Sequence, residues 1–381
     1  MHPSPDNLSR PLRVLMISKA LVVGIYQRKL ELIGAHPGIE LTAVVPPYWK
    51  DARGRLELER VHTDGYRLAV EPMRFNGNFH LHYYPGLRKI VREVRPDVVH
   101  IDEEPYNLAT YHALRLARRA GAKSLFFSWQ NLLRRYPFPF SAFEQEVLQK
   151  ADYGLVGNEH AIEVWRAKGY RGPLKLLPQF GVDPDVFSPA VPPEPRDHYA
   201  IGFAGRLVPE KGVDLLIRAA AKLPGKWVLH LLGDGPEREA LRELAGVYNI
   251  SGSVSFEQGI PSTAMPDFYR KLDVFVLPSR SRPNWEEQFG RVLIEAMACG
   301  VPVIGARSGA IPEVIGPAGM LFEEDNLEEL AAHLLALKEE TVLRGALSTA
   351  GRQRVLRHYT HEQIARQTVE VYCELTGRDL L

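Results

Sequence analysis

The stretch VFVLPSRSRPNWEEQFGRVLIEAMACGVPVI, residues 274–304, reads as strand, loop, helix and strand. Residues 274–277 form a compact apolar run of strand length, and Pro278-Ser279 ends it. A helix is expected over 291–298, starting near Gly290, and 301–304 reads as the next strand. Strand, helix and strand in succession make a βαβ unit, which calls for a parallel sheet.

The same alternation extends in both directions. In the second half, apolar strand runs are expected at 200–204, 227–232 and 254–256, with helices at 213–222, 237–245 and 327–337. In the first half the strands fall at 14–17, 41–45, 98–101, 124–127 and 153–156, with helices at 87–94 and 108–120. Between the halves lies Ser188-Pro189-Ala190-Val191-Pro192-Pro193-Glu194-Pro195, whose prolines block regular structure and make a semi-rigid linker. The expected fold is α/β, with two Rossmann-like doubly wound domains, 1–190 and 191–360, facing each other across a cleft. Ligand-facing loops belong at the carboxyl ends of the strands.

The whole-chain properties narrow the class. At 381 residues the chain exceeds one growing core. Its formal net charge is +1, so no global field suggests nucleic acid as a partner. The charge is uneven, however: residues 1–190 hold 26 Lys and Arg against 20 Asp and Glu, which suits an anionic partner. Two distant cysteines, Cys299 and Cys373, fit neither a disulfide framework nor a zinc site. No run resembles a signal core or a membrane span, so the expected location is cytoplasmic, with peripheral contact at the inner membrane face as an option.

The chemistry concentrates in the second half. Glu287 falls in the loop before the helix at 291–298 and Glu295 in its second turn. A helix amino terminus is an anion site, and Gly290 admits a ligand close to the backbone. A loop carboxylate accepts bonds from sugar hydroxyls, and one further on suits a ribose diol. Gly202-Phe203-Ala204-Gly205-Arg206-Leu207-Val208-Pro209-Glu210-Lys211-Gly212 follows a strand and opens a helix. Arg206 and Lys211 there can neutralise a diphosphate, the task a metal performs elsewhere. Leu232-Gly233-Asp234-Gly235-Pro236 reads equally as a phosphate loop or a tight βα turn.

These strings, with Ser308-Gly309-Ala310-Ile311-Pro312-Glu313-Val314, resemble the retaining glycosyltransferases of family four, which have the GT-B architecture. The resemblance covers the second half and implies a metal-independent hexosyltransferase with no cofactor beyond its nucleotide-sugar substrate. It implies that Arg206 and Lys211 bind the diphosphate, Glu287 the donor sugar and Glu295 the ribose. Gly205, Gly233, Phe289, Gly290 and Arg291 complete the donor set. It also implies that the last helix, 361–375, crosses back to the first domain.

The first half is similar to the family in Pro96-Asp97-Val98-Val99-His100-Ile101-Asp102 and in Gly181-Val182-Asp183. Its acceptor-side candidates are Gly24, His100, Gln130 and Asn131, with Asp102, Glu103 and Glu104 either an acidic cluster or a solvated loop. Three departures stand out. The glycine-rich loop after the first strand is reduced to Gly24. One extra residue enters at Pro178-Gln179-Phe180-Gly181. Ser128-Trp129-Gln130-Asn131 lacks the histidine that many members carry there.

The expected reaction is sugar transfer from a UDP- or GDP-linked donor to an acceptor hydroxyl in glycan, glycolipid or small-glycoside synthesis. A nucleotide-sugar epimerase of the same fold and a catalytically silent nucleotide-sugar-binding module are the rivals. Asp183-Pro184-Asp185, which sits before the proline linker, and His80-Leu81-His82, with no evident third ligand, are set aside as metal sites. The basic amphipathic segment 87–95 packs on the sheet or lies on a membrane. The aromatic loops Phe75 to Tyr84 and Tyr136 to Phe140 suit sugar stacking, lipid headgroups or plain packing.

Overall fold

The computed structural model describes residues 10–51, 54–190 and 196–380. The chain forms two compact units, Met1–Gly181 with His361–Leu381, and Val182–Thr360. The break at Gly181 falls before the proline-rich segment, of which Val191 to Pro195 lie outside the described residues. Val182 N–H donates to Tyr359 O at 2.9 Å, so the two points where the chain changes unit are adjacent.

The first unit is built on seven strands: β1 Leu12–Ile17, β2 Ile39–Val45, β3 Arg67–Val70, β4 Val98–Ile101, β5 Lys123–Ser128, β6 Tyr153–Val156 and β7 Leu174–Leu176. Their order is β3-β2-β1-β4-β5-β6-β7, all parallel, with Val14 opposite both Leu41 and Val98. Successive side chains alternate between faces. Leu12, Val14 and Met16 enter one core with Leu30 and Ile33 of the helix Arg28–Gly34, while Leu15 and Ile17 enter the other. Burial on both faces is why these strands read as continuous apolar runs.

The basic segment packs on this sheet rather than lying free. In the helix Leu87–Val94, Leu87, Ile90 and Val91 are buried, and Arg88, Lys89 and Arg92 point outward. The last helix, His361–Thr376, belongs to the first unit: Ile364, Ala365, Val369 and Tyr372 join its core. Polar ties fix its register, with Tyr153 Oη donating to Glu374 at 2.7 Å and Lys175 pairing with Glu370 at 2.9 Å.

The second unit repeats the plan with β8 Tyr199–Ala204, β9 Trp227–Leu232, β10 Val254–Glu257, β11 Val274–Leu277, β12 Val303–Ala306 and β13 Met320–Phe322. The order β10-β9-β8-β11-β12-β13 is that of a Rossmann sheet, and Ile201 pairs with both Leu229 and Val274. The expected strand 301–304 starts two residues late. Pro302 has no N–H for the ladder, so pairing with β11 begins at Val303 opposite Phe275. In both sheets the strand order reverses beside the first strand. Ligands of open parallel sheets bind at the carboxyl ends flanking such a reversal.

Several elements escape the sequence reading. β3 and β7 are half-exposed edge strands of only four and three residues. The long helix Thr341–His358 buries only Gly351 and Val355, so it carries almost no periodic signal. A short antiparallel hairpin, Tyr48–Asp51 with Gly54–Glu57, also sits on the first unit.

Candidate donor site in the second unit

The reversal in the second sheet lies between β8 and β11, and the loops leaving them carry the predicted cations and carboxylate. After β8, a 3-10 turn, Pro209–Lys211, ends at Gly212 with φ +65°. A Cβ there would fall 2.0 Å from the Pro278 carbonyl oxygen, so only glycine lets the two loops close. That closure brings Lys211 Nζ to 2.5 Å from Glu287 Oε2, which also accepts from Ser279 Oγ at 3.1 Å. The ammonium sits 4.9 Å from the centre of the Trp285 ring.

Glu287 is fixed from the other side as well. Its carbonyl accepts the Ala310 N–H at 2.9 Å, and a Cβ on Gly309 would meet that carbonyl at 2.2 Å. The Ser308-Gly309-Ala310 string is thereby part of the site's frame. Gly290, at φ +73°, caps the helix Arg291–Ala298, whose amino terminus faces the same loop. A helix amino terminus carries partial positive charge and favours an anion.

The other predicted residues divide by location. Arg206 is exposed at the carboxyl end of β8 and makes no ion pair among the described residues. Gly205 and Gly233 act on packing: a Cβ on Gly233, at φ +137°, would lie 1.9 Å from the Gly205 carbonyl oxygen. The tight-turn reading accounts for that glycine. Phe289 is buried and meets Tyr359 edge-on at 5.8 Å. Glu295 is 6% exposed, accepts from Tyr269 Oη at 2.8 Å and pairs with Arg291 Nε at 2.9 Å. Burial and this carboxylate push the Tyr269 phenol well above its ordinary value.

Sequence reasoning missed Arg280. Its guanidinium grips Asp214 at 2.5 and 3.0 Å and reaches Asp325, while its own N–H donates to Glu210 O at 2.8 Å. The hydrogen bonds to Asp214 hold its pKa above the usual range. Arg280 thus braces the turn that carries Lys211. The available signal was an arginine directly after Pro278-Ser279.

In the first unit the acceptor-side candidates are largely enclosed. His100 is 1% exposed, contacts Tyr372 Oη through Nδ1 at 2.8 Å, and is held neutral by burial and Lys29. It ties the last helix to the sheet. Gly24 donates to Glu59 at 2.6 Å, and a Cβ on it would collide with Val61 at 2.3 Å. Gln130 is buried and donates to Leu132 O at 2.9 Å; Asn131 is buried beside it.

The acidic run after β4 is a buried network rather than a solvated loop. Glu103 is clamped by Lys19 and lies 3.3 Å from His82 Nε2, and these neighbours outweigh burial and draw its pKa down to about 2. Glu104 takes the Ser128 hydroxyl at 2.6 Å and the Trp129 N–H at 2.8 Å, yet burial prevails and lifts it to about 7. Trp129, in the string that lacks the family's histidine, donates through Nε1 to Gln179 Oε1 at 2.9 Å. The segment with the extra residue and the segment that lacks the histidine are therefore joined by a hydrogen bond.

Asp183 Oδ1 accepts the Asp185 N–H at 3.0 Å, a local turn. Among the described residues no group of three His, Cys, Asp or Glu is placed to hold a metal ion, and no helix is long and apolar enough to cross a membrane.

Residues 187–354 match the description "Glycosyl transferases group 1". The second unit belongs to that family. The group 1 domain contains every residue of the donor constellation above. Over 201 residues the chain is 34% identical to a GDP-mannose-dependent alpha-(1-6)-phosphatidylinositol monomannoside mannosyltransferase of Mycolicibacterium smegmatis, covering 49% of this chain and 52% of that protein. The chain thus spans about half the length of the curated relatives it matches. A glycosyltransferase of Rickettsia africae superposes with a TM-score of 0.74 at 17% identity, covering 97% of this chain and all of that one. Sucrose-phosphate synthase of Thermosynechococcus elongatus gives 0.72 at 21%, covering 96% and 99%. These likenesses show the fold, two Rossmann-like domains of the GT-B class, beyond the limits of the group 1 domain.

Proposed function

We propose that the chain transfers a sugar from a nucleoside diphosphate sugar to an acceptor hydroxyl, with retention and without a metal. The observation that carries this reading is the Lys211–Glu287 pair at the sheet reversal, beside the amino terminus of the helix Arg291–Ala298. Without donor the two charges satisfy each other. A diphosphate competes for the ammonium, joined by Arg206 and the helix terminus, and releases the Glu287 carboxylate to accept sugar hydroxyls. Glu295 keeps lone pairs for a ribose diol beyond those used by Tyr269 and Arg291.

Charge develops on the diphosphate as the anomeric C–O bond breaks, and Lys211 and Arg206 stabilise it there. The acceptor hydroxyl attacks from the same face, and its proton passes to the departing phosphate oxygen. The relative's name makes GDP-mannose the first donor to try and an inositol-bearing glycolipid the first acceptor class. An acceptor of that kind puts the reaction at a membrane surface, with the first unit as the acceptor-binding side.

The test is donor binding by thermal shift with chelator present, comparing GDP-mannose, UDP-glucose and the free diphosphates, followed by product analysis with and without an inositol glycolipid. A donor-specific shift lost in Lys211→Ala, with acceptor-dependent product, supports transfer. Conversion of the donor without acceptor would make the chain an epimerase. Binding without any turnover would make it a silent module.

A further inference from the structure

The large apolar side chains of the first unit mostly enter its two cores, but Leu133 and Phe138 are 63% and 83% exposed. They stand at the ends of one loop, with Arg134 and Arg135 beside Leu133 and no acidic residue from 132 to 139. The loop is held at its middle. Tyr136 stacks on Tyr106 at 4.2 Å and meets His80 at 5.7 Å, while the Leu132 carbonyl accepts from Gln130. Two apolar tips are thus kept in water by an anchored backbone instead of folding back onto the sheet. On the next loop Phe79 is 54% exposed, and His80 links the two by packing 4.8 Å from Phe140.

We propose that the loop from 133 to 138 docks the first unit on an anionic lipid surface. Leu133 and Phe138 enter the interfacial layer, and Arg134 and Arg135 meet lipid phosphates. Charge complementarity favours this occupant: residues 1–190 carry 26 basic against 20 acidic side chains. Separate apolar tips flanked by guanidiniums suit a fluid interface, whereas a protein partner calls for a contiguous apolar centre with a polar rim. The helix Leu87–Val94 cannot serve in the same way, because its apolar face is already spent in the core. The docking rests on the lipid-linked acceptor reading only for its purpose, since the surface itself is defined by the loop.

The test is co-sedimentation of the full chain with vesicles of phosphatidylcholine alone or mixed with phosphatidylglycerol. Tight binding to the mixed vesicles alone is expected. Arg134→Gln with Arg135→Gln should weaken it roughly thirtyfold, from two lost surface cations. Leu133→Ser with Phe138→Ser should weaken it about tenfold or more. Arg88→Gln with Lys89→Gln, on the outer face of the Leu87–Val94 helix, should keep binding within about twofold. All three variants alter exposed side chains, and their melting curves should overlay the wild type. Failure of the wild type to bind mixed vesicles overturns the proposal, as does binding that only the Arg88/Lys89 variant loses, or loop-dependent dimers that ignore vesicles. A chain that transfers sugar but ignores vesicles refutes docking alone; one that binds vesicles but no nucleotide sugar refutes the reaction alone.

Discussion

Glu104 offers the sharpest physical test of the first unit. It is half-buried, and desolvation sets its pKa at about 7 against an ordinary 4.5. Each pKa step is worth about 1.4 kcal/mol, so this displacement carries about 3 kcal/mol. Between pH 4.5 and 7 the unfolded chain has already lost the proton that the folded chain retains. The unfolded state therefore binds fewer protons, and stability falls as pH rises through that window. The contribution is whole below 4.5 and gone above 7. Glu104→Gln replaces the neutral carboxyl by a group of the same shape that can still accept the Trp129 N–H and donate to Ser128. The variant should match the wild type near pH 4.5 and exceed it by about 3 kcal/mol near pH 8. Urea unfolding across this range, following the transition of the first unit, measures the difference. Glu103 has the opposite sign: its depressed pKa of about 2 gives stability present above 4.5 and lost as pH falls through 2. It is common to both chains and cancels. A gap between the two proteins that stays constant from pH 5 to 8 would refute the reasoning.

Three further outcomes follow from the same geometry. Lys211→Ala should lower turnover about 10²–10³-fold through lost charge stabilisation, read as kcat/KM with the donor limiting, while the melting temperature moves little. Gly233→Ala meets the Gly205 carbonyl at 1.9 Å and imposes a side chain at φ +137°; a loss of about 3 kcal/mol or more in the second unit is expected by denaturant titration. Lys19→Met strands the buried Glu103 and should cost about 3–5 kcal/mol, and combining it with Glu103→Leu should restore most of that loss in the same unfolding assay.

The local sequence determined what depends on local physics. Residues 274–304 announced a βαβ unit because doubly buried strands are unbroken apolar runs and a helix start leaves a glycine signature. Arg206, Lys211 and Glu287 were legible because they sit in loops next to those strands, where spacing alone assigns them to a carboxyl edge. Tertiary structure decided what depends on contacts between distant segments. Only the strand order shows that Lys211 and Glu287, 76 residues apart, meet at the sheet reversal. Only packing shows that His100 serves the last helix through Tyr372 and that Trp129 and Gln179 are partners. Packing alone shows that Glu295, placed in a helix by the sequence, accepts from Tyr269, because helix rotation against its neighbours is set by the whole core. Glu103 and Glu104 carry the plainest case: identical and adjacent in sequence, they are held near 2 and 7 because one faces Lys19 and His82 and the other faces mostly uncharged groups.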